Sequence, residues 1–232
     1  MHTAKYTWVL FDADGTLFDF EKAEIAALES TLAQFGAHAS PEHLPVYRDI
    51  NKQLWRDLEK GRITPEALRT RRFELFFEAI GAHYDPADFS DRYLGNLAGG
   101  VELVDGATET VRALHGKAGM LVITNGLREV QRSRLAKSTL RDYFSGIVIS
   151  EEVGVAKPHA RIFDVAFERM GGPRKGDVLI VGDSLTSDIA GGNDYGIDTC
   201  WFNPSARSRE VAVESTYEIR RLAELVEIVA GT

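Results

Sequence analysis

Five short apolar runs punctuate the chain: Thr7–Phe11, Met120–Thr124, Gly146–Ile149, Val178–Val181 and Asp198–Phe202. Each is continuous rather than alternating. Such a run predicts a strand covered on both faces, as in the interior of a parallel sheet. From Met120 onward the runs alternate with helical stretches at Leu127–Lys137, Ala160–Met170 and Ser187–Tyr195. That β-α-β-α order predicts an α/β fold with a doubly wound parallel sheet, a Rossmann-like core. The tail, Ser215–Thr232, predicts a sixth strand near Tyr217 and a helix over Arg220–Val229.

One stretch breaks the rhythm. Between Phe18 and Gly100 no strand pattern appears, and helix starts appear instead. Ser40-Pro41-Glu42, Thr64-Pro65-Glu66 and Asp85-Pro86 each place proline after an N-cap residue, and a further helix runs over Glu21–Phe35. Four helices after a single strand predict an inserted α-helical module. The expected organisation is therefore a core made of residues 1–18 and 100–232 with a helical insert at 19–99. Phe18-Asp19-Phe20 and Gly99-Gly100 are its expected hinges. Helices that merely cover the sheet are the alternative.

Composition narrows the function classes. The chain of 232 residues carries 27 Lys and Arg against 35 Asp and Glu, a net charge of −8. This disfavours a nucleic-acid binder, which needs a basic footprint, and offers nothing to an anionic membrane surface. A single cysteine, Cys200, excludes an intramolecular disulfide and fits a reducing compartment. No apolar run approaches the ~20 residues of a membrane helix. Met1–Tyr6 is polar, and the run Trp8–Phe11 is too short for a signal peptide. The expectation is a cytoplasmic protein without nucleic-acid or membrane partners.

Four polar motifs sit at or just beyond the predicted strands. Phe11-Asp12-Ala13-Asp14-Gly15-Thr16 follows the first. Residues two apart on an extended strand face one side, so Asp12 and Asp14 are expected to share a site where two like charges call for a cation or a proton. The same residues also suit an acidic turn that ends a strand. Gly182-Asp183-Ser184-Leu185-Thr186-Ser187-Asp188 follows another apolar run. There Asp188 also has an ordinary capping role open to it at a helix start. Thr124-Asn125-Gly126 offers a hydroxyl, an amide and free N–H groups to an anion, or simply makes a turn. Lys157 precedes a helix, where a lysine is commonly solvated. Ligands of open α/β sheets bind beyond the carboxyl ends of the strands. Carboxylates, a hydroxyl, amides and a lysine there describe a Mg²⁺–phosphate site. His2, His38, His43, His83, His115 and His159 show no metal-ligand spacing, and the chain has no Gly-x-Ser-x-Gly elbow and no Walker loop.

With these motifs in this order, the sequence resembles the haloacid dehalogenase superfamily of phosphatases and phosphotransferases, in the subgroup with a helical cap. The resemblance covers the whole chain. It implies Asp12 as a nucleophile that forms an aspartyl phosphate. It implies Asp14 as general acid and then base. Thr124 and Lys157 would hold phosphoryl oxygens together with Ala13 and Asn125 of the strand-end loops. Asp12, the Asp14 carbonyl, Asp183 and Asp188 would hold Mg²⁺. Phosphoryl transfer asks mainly for positioning and electrostatics, which such a set supplies.

A narrower resemblance concerns substrate. Ile149–Pro158, Thr199-Cys200-Trp201-Phe202-Asn203, Asn51-Lys52-Gln53-Leu54-Trp55 and Gly61-Arg62-Ile63-Thr64 are similar to the bacterial pyrimidine 5′-nucleotidase branch. That branch carries glutamate where this chain has Gly15. The likeness implies hydrolysis of pyrimidine nucleoside monophosphates, with Asn51 and Trp55 as candidate contacts to the base. Both residues are equally suited to the interior of a cap helix. The basic runs Arg69, Arg71, Arg72 and Arg128, Arg132, Arg134 suit solvated faces or the steering of an anion. A phosphoglycolate or sugar phosphatase and a phosphomutase remain the enzymatic alternatives. A non-enzymatic phospho-receiver has about half this length and its acidic residue after the third strand.

Overall fold

A computed structural model describes residues 4–209 and 211–231. His2 and part of the polar stretch Met1–Tyr6 lie outside them. The described strands are β1 (Trp8–Phe11), β2 (Gly119–Thr124), β3 (Ile147–Ile149), β4 (Val178–Gly182), β5 (Asp198–Phe202) and β6 (Tyr217–Ile219). They form one sheet of order β3-β2-β1-β4-β5-β6, and every neighbouring pair is parallel.

The continuous apolar runs have a direct cause in this sheet. Val9, Phe11, Met120, Val122, Leu179 and Val181 enter one core, with Ala107, Val111 and Leu114 of helix α5 (Ala107–Leu114) and Leu225 and Val229 of α10 (Leu225–Ala230). Leu10, Leu121, Ile123, Val178 and Ile180 enter the opposite core, with Ile162, Phe163, Ala166 and Phe167 of α8 (Ala160–Arg169). Alternate residues thus meet apolar cover on both faces. Cys200 is buried within β5 as an apolar filler, and burial pushes its thiol pKa up.

Contacts divide the chain into two compact units, Met1–Asp19 with Val101–Thr232, and Phe20–Gly100. Asp19 is tied to the sheet-bearing unit by its N–H, which donates to the Glu102 carbonyl at 2.9 Å. Gly100 belongs with the helices: a Cβ there would stand 2.6 Å from the Cβ of Ala23.

The helical unit contains α1 (Phe20–Gln34), α2 (His43–Glu59), α3 (Pro65–Ile80) and α4 (Pro86–Leu97). Thr64 caps α3 by accepting from Ala67 N–H at 3.2 Å, and Asp85 caps α4 by accepting from Ala87 and Asp88 N–H at 2.9 Å. The expected cap at Ser40-Pro41-Glu42 is different. Helix α2 starts at His43 with no side-chain cap, because Ser40 is drawn into a turn whose carbonyl accepts from His43 N–H and whose N–H donates to His43 Nδ1. The interior of the unit is aromatic, with Tyr47, Phe73, Phe76, Phe89 and Tyr93 wholly buried. Among the described residues no helix is long and apolar enough to cross a membrane.

Candidate active site

Strand order fixes where a site can form. From β1 the chain steps to β2 and β3 on one side; from β4 it steps to β5 and β6 on the other. The adjacent carboxyl ends of β1 and β4 are therefore the switch point where open α/β sheets bind ligands. Asp12 follows β1 there, and Asp183 follows β4.

After Asp12 the chain turns back on itself. Leu17 and Phe18 N–H both donate to the Ala13 carbonyl, and Gly15 N–H donates to the Phe18 carbonyl, each at 2.9 Å. Gly15 has φ +81°, and a Cβ there would lie 3.0 Å from the Asp183 carboxylate. Glycine meets both demands at once.

After β4 the chain enters a wide helical turn, Leu185–Ile189, closed by Ile189 N–H to the Ser184 carbonyl at 3.2 Å. Turns of this i→i+5 kind recur at functional sites. This one places the Asp188 carboxylate over Gly182, where a Cβ would come within 2.1 Å of it. Ser184 N–H holds the same carboxylate at 3.1 Å. Gly182→Ala should therefore displace Asp188. With Asp188 in the Mg²⁺-binding role that the resemblance implies, the expected result is a loss of about 10–100-fold in divalent-metal affinity. Titration calorimetry with Mg²⁺ checks this; unchanged affinity would show that Asp188 does not depend on that space.

Asp12, Asp183 and Asp188 each offer a carboxylate oxygen, and these oxygens lie within 4.8 Å of one another. Lys157 meets two of the three. Its Nζ donates to Asp12 Oδ1 at 2.6 Å, to Asp188 Oδ1 at 2.7 Å and to the Ile123 carbonyl at 2.7 Å. The Lys157 side chain is 1% exposed. Burial opposes its charge, but the two carboxylates outweigh that and hold its pKa above the ordinary lysine value. Burial, reinforced by Asp188 and Asp183, holds Asp12 well above the usual carboxylate range despite Lys157. Burial and Asp188 likewise push Asp183 up to about 6, against the pull of Arg207 and Lys157. Three carboxylates share the buried Lys157 ammonium, with the Arg207 guanidinium beside Asp183, and gather oxygen donors in one pocket. This donor set fits a hard divalent cation.

Thr124 ends β2 1% exposed, and its hydroxyl has no hydrogen-bond partner among the described residues. An unsatisfied buried hydroxyl is costly, and a phosphoryl oxygen would satisfy it. The Asn125 side chain is otherwise engaged. Its amide donates to the Lys157 carbonyl at 2.9 Å, and its oxygen accepts from Lys157 N–H at 2.7 Å. The Asn125 side chain thus clamps the Lys157 backbone.

Asp14 also departs from the expected paired arrangement. Its carboxylate is not in the Asp12–Asp183–Asp188 cluster. It accepts from Gln131 Nε2 at 2.6 Å and pairs with Arg134. No motif marks either contact in the sequence. No motif marks Arg207 either. Its guanidinium meets the Asp183 carbonyl at 3.1 Å and the carboxylate at 3.5 Å, and Trp201 Nε1 donates to the same carbonyl at 3.0 Å.

The helical unit, considered by itself, has its own buried polar group. Asn51 is buried and donates to Glu24 at 3.3 Å, while Arg48 pairs with Glu24 at 2.8 Å. Arg72 is 2% exposed rather than solvated, with its guanidinium over the rings of Phe73 and Tyr93. Its Nε and Nη2 have no hydrogen-bond partner among the described residues, nor do the Tyr47 and Tyr93 hydroxyls or Ser90 Oγ. Trp55 is half-buried on α2.

The sequence model of the haloacid dehalogenase-like hydrolases matches residues 6–196, the greater part of the chain. The chain belongs to that family. Over 224 residues it is 37% identical to the pyrimidine 5′-nucleotidase YjjG of Escherichia coli (strain K12), covering 97% of this chain and 98% of that one. It is 35% identical to the pyrimidine 5′-nucleotidase PynA of Streptococcus pneumoniae over 223 residues, covering 96% and 94%. The magnesium-bound crystal structure of the HAD-hydrolase YfnB of Bacillus subtilis superposes with a TM-score of 0.91 at 36% identity, covering 97% of this chain and 99% of that one. As a member of the haloacid dehalogenase-like hydrolases, this chain has the α/β Rossmann-like fold that its apolar runs predict.

Proposed function

We propose that the protein is a Mg²⁺-dependent phosphomonoesterase that works through an aspartyl phosphate on Asp12 and acts on pyrimidine nucleoside 5′-monophosphates. One observation carries the reading: the unpartnered Thr124 hydroxyl at the end of β2, the buried Lys157 ammonium from the loop after α7 (Ser150–Val153), and Asp12 at the end of β1, held by that ammonium, with Asp183 and Asp188 beside it. The substrate class rests on likeness to YjjG and PynA, both named pyrimidine 5′-nucleotidases.

In this reading an Asp12 carboxylate oxygen attacks phosphorus and the ester P–O bond breaks. Asp14 gives a proton to the departing nucleoside oxygen. Asp14 then takes a proton from water as that water attacks the phosphorus of the aspartyl phosphate, which frees Asp12 and inorganic phosphate. Thr124 Oγ1 and Lys157 Nζ hold the non-bridging oxygens. Asp12, Asp183, Asp188 and the Asp14 carbonyl are the proposed Mg²⁺ ligands, and the ion supplies charge neutralisation where a carboxylate meets a phosphate dianion. Ala13 and Asn125 contribute backbone N–H groups. We assign base selection to the helical unit, with Asn51 and Trp55 as candidate contacts.

The test is phosphate release with Mg²⁺ from dUMP, dTMP and UMP beside dAMP, phosphoglycolate and hexose phosphates. Turnover confined to the pyrimidine nucleotides is the expected result. Preference for phosphoglycolate or a hexose phosphate would keep the chemistry and overturn the substrate class. Isomerisation without phosphate release would replace hydrolysis with a mutase.

Metal binding should also depend on pH in a stated direction. The Asp183 pKa stands at about 6 in the metal-free fold against an ordinary 3.8. A raised carboxylate contributes stability that is complete below pH 3.8 and lost as pH rises through about 6. Mg²⁺ requires the ionised group, so its stabilising effect runs the other way. The melting-temperature increase caused by Mg²⁺ should be large at pH 7.5 and nearly absent at pH 5. An equal increase at both values would show that Mg²⁺ binds without ionisation of a raised carboxylate of this cluster.

A further inference from the structure

We propose that Gln131 and Arg134 are positioning residues for Asp14, fixing the direction in which its carboxylate delivers and takes up a proton. The inference rests on the phosphatase reading above and assigns it two residues from helix α6 (Arg128–Lys137), which follows the Thr124-Asn125-Gly126 turn.

The contact is built from both sides. Gln131 and Arg134 are three residues apart and so lie on one face of α6. They are 2% and 0% exposed. Each takes one oxygen of Asp14: Gln131 Nε2 donates to Oδ2 at 2.6 Å, and Arg134 Nη1 donates to Oδ1. Two donors on two oxygens fix both the position and the rotation of a carboxylate.

The supports are themselves held. The Arg134 guanidinium lies 4.6 Å from the ring centroid of Phe18, which is 1% exposed and closes the Asp14 loop through its carbonyl. Arginine combines this ring contact with a planar donor edge, and lysine does not. Gln131 passes over Gly126, where a Cβ would come within 2.7 Å of the Gln131 side chain. Gly126 of the Thr124-Asn125-Gly126 turn therefore keeps open the route by which Gln131 reaches Asp14.

Arg134 also differs from its neighbours in the basic run. Arg132 is exposed and pairs with Glu152, and Arg128 is exposed. A guanidinium withdrawn wholly from water is costly unless paired, and Arg134 is paired with a residue that must move protons.

A leaving-group comparison separates positioning from mere support. Loss of a nucleoside alkoxide needs a proton, whereas p-nitrophenolate departs as a stable anion. We expect Gln131→Met to lower kcat/KM for UMP relative to that for p-nitrophenyl phosphate by about tenfold or more. Arg134→Lys should shift the ratio the same way; it keeps the buried charge, and Gln131→Met, being neutral and of similar length, decides the matter if Arg134→Lys does not fold. Asp14→Asn should lower the ratio by itself, and adding Gln131→Met to it should change the ratio no further.

Equal losses on both esters, or no loss, in a folded Gln131→Met would overturn the positioning role while leaving the phosphatase reading intact. An additive effect of Gln131→Met in the Asp14→Asn background would overturn it too. The ester of the panel above that turns over best replaces UMP where UMP is not a substrate; a wild-type protein that releases phosphate from none of them would instead overturn the phosphatase reading, and the positioning role with it.

Discussion

Asp12→Asn should abolish turnover, by at least about a thousandfold, while leaving the protein folded. Removal of a nucleophile that acts in concert with its surroundings costs most of the catalysis those surroundings supply. The amide matches the carboxylate in shape, so the place of Asp12 beside β4, where its N–H donates to the Val181 carbonyl at 2.9 Å, is undisturbed. The substitution also removes one charge from a cluster of three carboxylates. The amide oxygen still accepts from Lys157 Nζ and Asp188 still pairs that ammonium, so the metal-free variant should lose far less stability than one without the lysine. Rapid acid quench followed by mass spectrometry is the deciding measurement. Wild type should show protein carrying one added phosphoryl group, removable by hydroxylamine as an acyl phosphate must be, and Asp12→Asn should show none. Turnover retained without that adduct would mean that water attacks the ester directly.

How this site could be read from sequence depends on where each contact comes from. Asp12, Thr124 and Asp183 stand at the ends of runs whose continuous apolar character is caused by cover on both faces of the sheet, so their alignment follows from parallel strands. Lys157 lies in a loop, yet it follows the short helix α7 (Ser150–Val153) beyond β3, and its place in the motif order marks it. The partners of Asp14 had no such marker, because Gln131 and Arg134 are 117 and 120 positions away. A trace did exist. Leu127, Val130 and Leu135 are buried with Gln131 and Arg134 between them, so the arginine falls on the apolar stripe of its helix, while Arg128 and Arg132 fall outside it. Charge spacing alone groups the three arginines; helical phase separates them.

Other differences have local causes. Helix α5 has eight residues and starts after Gly106 at φ +80°, with no capping side chain to announce it. Helix α7 is a single turn. The tail helix begins at Leu225 rather than Arg220, because Glu224 folds back to accept from Arg220 and Arg221 N–H and tightens Leu222–Glu224 into a 3₁₀ turn. The expected Ser187–Tyr195 helix is divided. Its first part is the wide turn that aims Asp188, and the α-helix itself, α9, spans Ala190–Tyr195. There the demand of the site overrides the regular continuation of the helix.

Lys157→Met should destabilise the metal-free protein by about 3–5 kcal/mol, the usual cost of removing one partner from a buried ion pair. The side chain is 1% exposed and bridges Asp12 and Asp188, which are 10% and 1% exposed as side chains. Methionine fills similar volume, so the loss is one of charge and hydrogen bonds rather than packing. The sign of the pH dependence follows from the groups involved. Lys157 has a raised pKa, so its contribution is complete below the ordinary lysine value of 10.5 and is lost only as pH rises through the higher folded value. Between pH 6 and 9 wild type therefore keeps all of it. In the variant Asp12 loses the neighbour that draws its pKa down, so protonation relieves the cluster as pH falls, and the gap to wild type should narrow toward acid. Mg²⁺ should narrow it at neutral pH by supplying the missing positive charge. Turnover should nonetheless stay depressed by about 100-fold or more with Mg²⁺ present, because the donor that meets the transferring phosphoryl group is gone. Urea unfolding at pH 5 and 7.5, with and without Mg²⁺, reads all of this. Equal midpoints for variant and wild type at pH 7.5 without metal would show that the lysine does not neutralise the cluster.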